Sequence, residues 1–224
     1  MRNTKLLISG IIKFLAGLVL VILLIFLPTG DLGYINGWIL TAILFVPMLV
    51  AGIIMWLKKP ELLSRRLNAK EKQDGQRTVI AVSAVMFISG FVISGLCVKY
   101  DFLVLPLWMS LIFTAVFIAG YILYGIVISQ NEYLSRTIEV SDSQKVIDTG
   151  IYSVVRHPMY LATILMFMSM PLILGSVMGF LVFLAYPFII AYRIKKEEEF
   201  LSENLSGYSA YIKKVKYRMI PKIW

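Results

Sequence analysis

The stretch from residue 156 to residue 199 reads RHPMYLATILMFMSMPLILGSVMGFLVFLAYPFIIAYRIKKEEE. Its two apolar runs, 159–174 and 177–192, are separated by Gly175-Ser176, which predicts a tight helical hairpin. Ionisable groups stand at both outer ends of this hairpin. Because such groups are costly near a bilayer, they usually line a functional site or an aqueous cavity. The stretch therefore predicts a membrane hairpin with a polar site at its mouth.

Four longer apolar runs precede the hairpin, at 6–27, 38–57, 79–98 and 103–129. Each is long enough to cross about 30 Å of hydrocarbon at about 1.5 Å per residue. The chain is 59% hydrophobic, which exceeds the usual share in soluble domains. We predict an all-α integral membrane protein with about six membrane helices, four full spans plus the short hairpin, and a cytoplasmic C-terminal helical segment. The sequence leaves open whether the hairpin arms cross fully.

Charge patterning predicts the orientation and excludes several function classes. Of the 22 Lys and Arg residues, only Lys99 falls in a connection on the predicted outer side, so both termini should be cytoplasmic. The net charge of +9 fits cytoplasmic loops near anionic lipids better than nucleic-acid binding. With Cys97 as the single cysteine and only one histidine, the sequence offers neither an intrachain disulfide nor a Cys/His metal set.

The loop before the hairpin supplies the first candidate site residues. Pro158 suits the first turn of a helix because its missing N–H would have no helical partner there. The unpaired N–H groups and the positive end of that helix favour a ligand carboxylate, and His157 stands beside them. An isolated Arg-His pair such as Arg156-His157 is more often a basic flank of a membrane helix than part of a functional site. The prediction therefore depends on the second cluster.

The second cluster follows the hairpin. Arg193 and Glu197 are four residues apart and share a helix face. Three adjacent glutamates, 197–199, repel one another and need cations, water or a ligand with donors. Tyr208 and Tyr211 lie farther on, on the apolar face of a predicted short helix that is equally typical of an interfacial segment.

Together these motifs form a pattern more specific than any one of them. The pattern is Asn131…Arg136, Gly150-x-Tyr152-x-x-x-Arg156-His157-Pro158-x-Tyr160, Arg193-x-x-x-Glu197-Glu198, Leu205-x-Gly207-Tyr208-x-x-Tyr211 and Tyr217-Arg218-x-Ile220-Pro221. It resembles the C-terminal half of the isoprenylcysteine carboxyl methyltransferase family, in its prokaryotic type, and of its phospholipid methyltransferase relatives. Ile151 and Ala162 depart from the family pattern by replacing a proline and a glycine, and Ala162 is expected to narrow the pocket.

The resemblance implies a membrane enzyme that uses S-adenosylmethionine in a cytoplasm-facing pocket and takes a lipophilic substrate from between its helices. Residues 1–129 would then be N-terminal membrane helices, and residues 130–224 the cofactor-binding catalytic region. The expected cofactor-binding residues are His157, Pro158, Tyr160, Glu197, Glu198, Tyr208 and Tyr211. The expected catalytic residues are Arg193, Glu198 and Arg156.

The chemistry of methyl transfer separates two kinds of acceptor. A carboxylate is already ionised and needs no base, so alignment and water exclusion suffice. An arginine holds such a group well, with Arg193 the first candidate and Arg156 the second. An amine or phenol would need a base, for which Glu198 or His157 is the candidate. The glutamates would receive the cofactor's ammonium or ribose hydroxyls.

Two other functions fit the sequence. One is an NADPH-dependent membrane reductase of the sterol reductase type, in which Arg218 and the tail lysines would grip a 2′-phosphate. The other is a non-catalytic membrane protein, which predicts no soluble ligand. The expected partners are a lipophilic or lipidated substrate and membrane lipids, without nucleic acid and without a metal.

Overall fold

The structure is a computed structural model that describes residues 4–68, 74–135, 137, 138, 140 and 144–224. Its described part is built of α-helices, with one 3-10 turn at Gly150–Ser153. The helices are α1 (Thr4–Thr29), α2 (Ile35–Lys58), α3 (Pro60–Leu67), α4 (Asp74–Lys99), α5 (Leu107–Gln130), α6 (Pro158–Ile173), α7 (Val177–Phe183), α8 (Ala185–Asn204) and α9 (Tyr208–Lys214).

By length and composition, five helical segments of the described chain can cross a membrane. They are Thr4–Thr29, Ile35–Lys58, Gln76–Lys99, Leu107–Gln130 and Val177–Asn204. This confirms the predicted all-α membrane fold with four spans before the hairpin.

The hairpin itself is asymmetric. Its first arm, α6, has 16 residues, or about 24 Å at about 1.5 Å per residue. Its second arm, Val177–Asn204, has 28 residues and continues as a helix beyond the apolar run that ends at 192. The lysines and glutamates past residue 192 are good helix formers, so charge ends the apolar run without ending the helix. The second arm therefore carries residues 193–199 out to the polar end of the bundle.

The most extensive helix packing joins α5 to α6. A Cβ added at Gly120 would lie 2.9 Å from Met166 Cγ and 3.1 Å from the carbonyl oxygen of Ala162. Small residues at such contacts let two membrane helices approach each other. Ala162 is completely buried and does not line the pocket described below, so it does not narrow that pocket.

The chain end returns to the start of α6. The backbone N–H of Arg156 donates to the carbonyl of Tyr217 (3.0 Å), and that of His157 donates to the carbonyl of Arg218 (2.7 Å). Before this return, α9 buries Tyr208 and Tyr211 in a small cluster with Leu205 and Val215. The apolar face of α9 thus packs inside the protein, which removes the interfacial alternative for this segment.

Candidate active site

One pocket gathers eight of the nine predicted site residues. The eight are Arg156, His157, Pro158, Tyr160, Arg193, Glu197, Tyr208 and Tyr211. They come from the loop before α6, the first turn of α6, the charged half of α8, and α9. The ninth residue, Glu198, does not line the pocket but lies directly behind it.

The start of α6 forms one side of the pocket. Pro158 takes the first helical position and is fully buried, as its missing N–H allows. His157 is the residue before the helix, with its backbone at φ −126° and ψ 57°. Pro158 has no N–H, and that of Tyr160 donates to the carbonyl of His157 (3.2 Å), so the anion-binding character of this turn comes mainly from the partial positive charge of the helix dipole. This side of the pocket is therefore suited to an anionic ligand group.

A hydrogen-bonded chain on α8 and α6 forms the second side. Arg193 Nε donates to the hydroxyl of Tyr160 (2.9 Å), and that hydroxyl donates to Glu197 Oε2. The other oxygen of Glu197, Oε1, accepts no hydrogen bond from any described residue. One turn of helix thus presents a guanidinium and a partly engaged carboxylate to the same space.

Glu198 is the centre of a buried ionic group. Its Oε1 accepts a hydrogen bond from Arg156 Nε (2.7 Å) and lies 3.2 Å from His157 Nε2, while its Oε2 accepts one from Arg218 Nε (2.8 Å). The residue is only 6% exposed. We call Arg156, His157, Glu198 and Arg218 the ionic centre. Both oxygens of Glu198 are engaged by the protein, so its contribution to a ligand is made through the residues that it holds.

The guanidinium of Arg156 is likewise held by protein acceptors. Besides its bond to Glu198, its Nη1 donates to the carbonyl of Val215 (2.5 Å), and its side chain is 4% exposed. A buried arginine held in this way fixes the return of the chain end against the loop before α6. This geometry makes Arg193 the more accessible of the two arginines predicted to hold an acceptor.

Aromatic residues form the third side. Tyr208 and Tyr211 lie with their ring centroids 5.8 Å apart, and Tyr211 donates from its hydroxyl to the carbonyl of Tyr152 (2.7 Å). Burial raises the pKa of Tyr152 to about 12 and raises the pKa values of Tyr208 and Tyr211 well above the ordinary range for a phenol. All three therefore stay neutral at physiological pH and act as hydrogen-bond donors and apolar faces rather than as phenolates.

The fourth side was missed by sequence reasoning. It consists of the loop between α5 and α6, with Asn131, Tyr133, Leu134, Ser135, Thr137, Ile138 and the segment 144–147. Asn131 donates from Nδ2 to the hydroxyl of Tyr152 (3.1 Å) and accepts at Oδ1 from the N–H of Tyr133 (3.0 Å), so it ties this loop to the pocket. Asn131 and Tyr152 both belong to the sequence motifs, which was the available signal. Arg136, another motif residue, lies outside the described residues.

The donor set of the pocket fits S-adenosylmethionine chemically. Glu197 offers an acceptor for an ammonium or a ribose hydroxyl, the start of α6 suits a carboxylate, and Tyr208 and Tyr211 suit an adenine ring. The cavity measures about 110 Å³. Ligand pockets commonly hold about 300–1,000 Å³, so a nucleotide would enter only with displacement of part of the pocket wall.

Residues 106–207 match the family model described as phospholipid methyltransferase. The match supports a membrane methyltransferase. It covers α5, the hairpin and the loop before it, a little under half of the chain. Methyltransferases of this family generally use S-adenosylmethionine. No curated protein matches the chain.

Proposed function

We propose that the chain transfers a methyl group from S-adenosylmethionine to a lipophilic acceptor, most readily a carboxylate of the isoprenylcysteine type, at the cytoplasmic membrane face. The observation that carries this proposal is one pocket that joins Glu197, Tyr160 and Arg193 to the start of α6. The distribution of Lys and Arg supports the cytoplasmic face. The prokaryotic type and the catalytic role of residues 130–224 rest on the motif resemblance.

Different sides of the pocket bind chemically different parts of the cofactor. Glu197 holds the cofactor's ammonium or ribose hydroxyls, and the first turn of α6 holds its carboxylate. Tyr208 and Tyr211 pack the adenine and exclude water from the pocket. When bound, S-adenosylmethionine supplies a methyl group on a sulfonium centre, which a nucleophile in line with the breaking bond can accept.

A carboxylate acceptor suits a site in which both oxygens of Glu198 are already engaged by arginines. Such a group needs no base, so Arg193 has only to orient it towards the methyl group. An amine acceptor requires a base, and Glu198 is a poor one because two guanidiniums already engage its oxygens. Of the two candidate bases for an amine, Glu198 is therefore disfavoured, which leaves His157, a residue that lines the pocket.

The reductase alternative loses one of its candidate phosphate-binding groups. It needs cationic groups to bind a 2′-phosphate, for which the sequence offers Arg218 and the tail lysines. Arg218 instead donates to Glu198 and lies over the ring of Trp224, 5.3 Å from its centroid. The methyltransferase match also favours methyl transfer over reduction.

The test is a radiolabelled methyl-transfer assay on membranes that contain the chain, with candidate lipophilic acids, prenylated cysteines and phospholipid amines. We expect a lipid-extractable product that mild base hydrolyses, as a methyl ester requires. A base-stable product would overturn the carboxylate, and no transfer to any acceptor would overturn the function.

The role of Arg193 has its own test. Arg193→Ala should lower turnover by about a hundredfold, as for loss of one oriented charge contact, while cofactor binding survives. Lys195→Ala, an exposed neighbour on the same helix, is the matched control and should leave turnover unchanged. Lost cofactor binding with intact turnover would contradict the assignment.

A further inference from the structure

Two neighbouring arginines at the end of α3 contact the pocket from outside. We call the fourth side of the pocket, the loop between α5 and α6, the loop wall. Arg65 Nη1 donates to the carbonyl of Glu132 in this wall (3.2 Å), and its guanidinium lies 5.8 Å from the ring centroid of Tyr133. Tyr133 lines the pocket, whereas Arg65 does not. Arg65 therefore holds the beginning of the loop wall from behind.

Arg66 contacts the start of α6. Its Nη1 donates to Met159 Sδ (3.8 Å), and its guanidinium lies over the ring of Tyr124 on α5, 5.2 Å from the centroid. Met159 belongs to the first turn of α6 and lines the pocket, whereas Tyr124 does not line it. Burial raises the pKa of Tyr152, and the guanidinium of Arg66 acts in the opposite direction, so its charge reaches a second residue of the pocket.

The helix that carries both arginines is anchored in the bundle. Leu62 and Leu63 of α3 are buried, and the carbonyl of Leu67 at its end accepts a hydrogen bond from Lys13 Nζ on α1 (2.6 Å). The negative end of the helix dipole also stabilises cations in the last turn. α3 therefore forms a fixed support for the two pocket walls that its arginines contact.

These contacts exceed what the orientation of the protein in the membrane requires. Lys58 and Lys59, directly before α3, are exposed, and exposed cations are sufficient to mark a cytoplasmic loop. Arg65 and Arg66 are instead partly buried, and each engages both an aromatic ring and a hydrogen-bond acceptor. A planar guanidinium held by both kinds of contact has a defined orientation, as a support needs.

We propose that Arg65 and Arg66 are positioning residues of the pocket, which hold the loop wall and the start of α6 at the separation that binds the nucleotide. The identity of that nucleotide rests on the proposed function. α3 lies outside the region matched by the family model, which begins at residue 106, and outside the sequence motifs, which begin at Asn131. The support of the pocket thus extends into the N-terminal half of the chain.

Hydrogen–deuterium exchange of the ligand-free, detergent-solubilised protein tests the support itself. The backbone N–H of Tyr133 donates to Asn131 Oδ1 (3.0 Å), so exchange in residues 131–134 reports on the loop wall. The double variant Arg65→Gln/Arg66→Gln should raise exchange there. Exchange in residues 30–34, which connect α1 to α2 at the other end of the bundle, should stay unchanged.

The matched control is the double variant Lys58→Gln/Lys59→Gln, which removes the same two charges from exposed positions. It should leave exchange in both segments unchanged. Equal exchange in residues 131–134 of the two double variants would overturn the proposal. So would a rise of equal size in residues 30–34 of the arginine variant, because that pattern indicates general destabilisation.

Calorimetric titration with S-adenosylhomocysteine tests the consequence for the ligand. Arg65→Gln/Arg66→Gln should weaken its binding by about tenfold, since the nucleotide must then also order the walls. The lysine control should bind as the unchanged protein does. If the unchanged protein binds no S-adenosylhomocysteine, the proposed function fails, whereas the exchange experiment still decides whether the arginines hold the walls.

A double-mutant cycle tests whether Arg66 acts through its ring contact. Tyr124→Leu removes the ring beneath Arg66 and leaves the pocket lining intact. It should weaken binding of S-adenosylhomocysteine, and adding Arg66→Gln should weaken it little further, because both changes remove one contact. Fully additive losses, or an affinity unchanged in Arg66→Gln alone, would refute the positioning role of Arg66.

Discussion

Two neighbouring glutamates on α8 have different environments and therefore different tasks. Glu197 lines the pocket and has one oxygen held by Tyr160, whereas Glu198 is buried behind the pocket with both oxygens held by cationic or donor groups. Successive helical residues point about 100° apart, so one side chain reaches the ligand space while the next reaches the ionic centre. The sequence marks both as acidic and does not distinguish them.

Glu197→Gln should weaken binding of S-adenosylhomocysteine by about tenfold or more, because a charged hydrogen bond to an ammonium is replaced by a neutral one. Thermal stability should change little, since Glu197 is only partly buried. Calorimetric titration of the purified protein measures the affinity. Glu199→Gln is the matched control, because Glu199 is exposed and pairs only with Lys196 among the described residues. Equal affinities for the two variants would contradict the assignment of Glu197.

Glu198→Gln should instead act on stability. The buried Arg156 would keep a neutral acceptor but lose its counter-charge, at a cost of about 2 kcal/mol. Thermal unfolding in detergent measures this loss, again with Glu199→Gln as the reference. An unfolding temperature equal to that of the reference would mean that the ionic centre contributes nothing to the fold.

At the scale of elements, the site depends on how α5 packs on α6. The loop wall of the pocket follows α5, and α6 begins at the pocket, so the spacing of these two helices sets the distance between opposite walls. Gly120 allows the close approach. A Cβ added at Gly125, on the same helix, would have no neighbouring atom within 4 Å, so this second glycine contributes nothing to the approach.

Gly120→Ala should therefore destabilise the protein by about 1–3 kcal/mol through overpacking. Its new methyl group would meet the backbone of Ala162 and the side chains of Leu165 and Met166, and backbone cannot move aside cheaply. Gly125→Ala should be neutral or stabilising, because the helix gains an alanine without a clash. Thermal unfolding of the two variants makes the comparison. A Gly125→Ala protein less stable than Gly120→Ala would contradict the packing.

At the scale of the whole molecule, hydropathy predicted the spans well, because a membrane helix is specified by its own composition. The apolar run of the second arm ends at Tyr192, and the shared helix face of Arg193 and Glu197 correctly predicted that the helix continues beyond it, because a charged sequence can leave the membrane and remain helical. The family resemblance correctly predicted that Glu198 lies near the loop that carries His157, but it did not predict which arginines engage Glu198. Arg156 and Glu198 are 42 residues apart, and Glu198 and Arg218 are 20 apart, so only the folded chain brings them together. The loop wall was missed for the same reason.

The orientation in the membrane is a prediction for the molecule as a whole. In a Cys97→Ala background, Lys216→Cys should react with a membrane-impermeant maleimide only after the cells are permeabilised, since the tail should be cytoplasmic. Tyr100→Cys, in the connection that carries Lys99, is the opposite control and should react in intact cells. The reverse labelling pattern would place the pocket on the outer side.

The central claim is that the pocket takes a sulfonium nucleotide. It is tested most directly by equilibrium titration of the purified, detergent-solubilised chain with S-adenosylmethionine and, separately, with NADPH. We predict saturable one-to-one binding of S-adenosylmethionine that Glu197→Gln weakens, and no saturable binding of NADPH. Saturable binding of NADPH alone, or of neither nucleotide, would contradict the account.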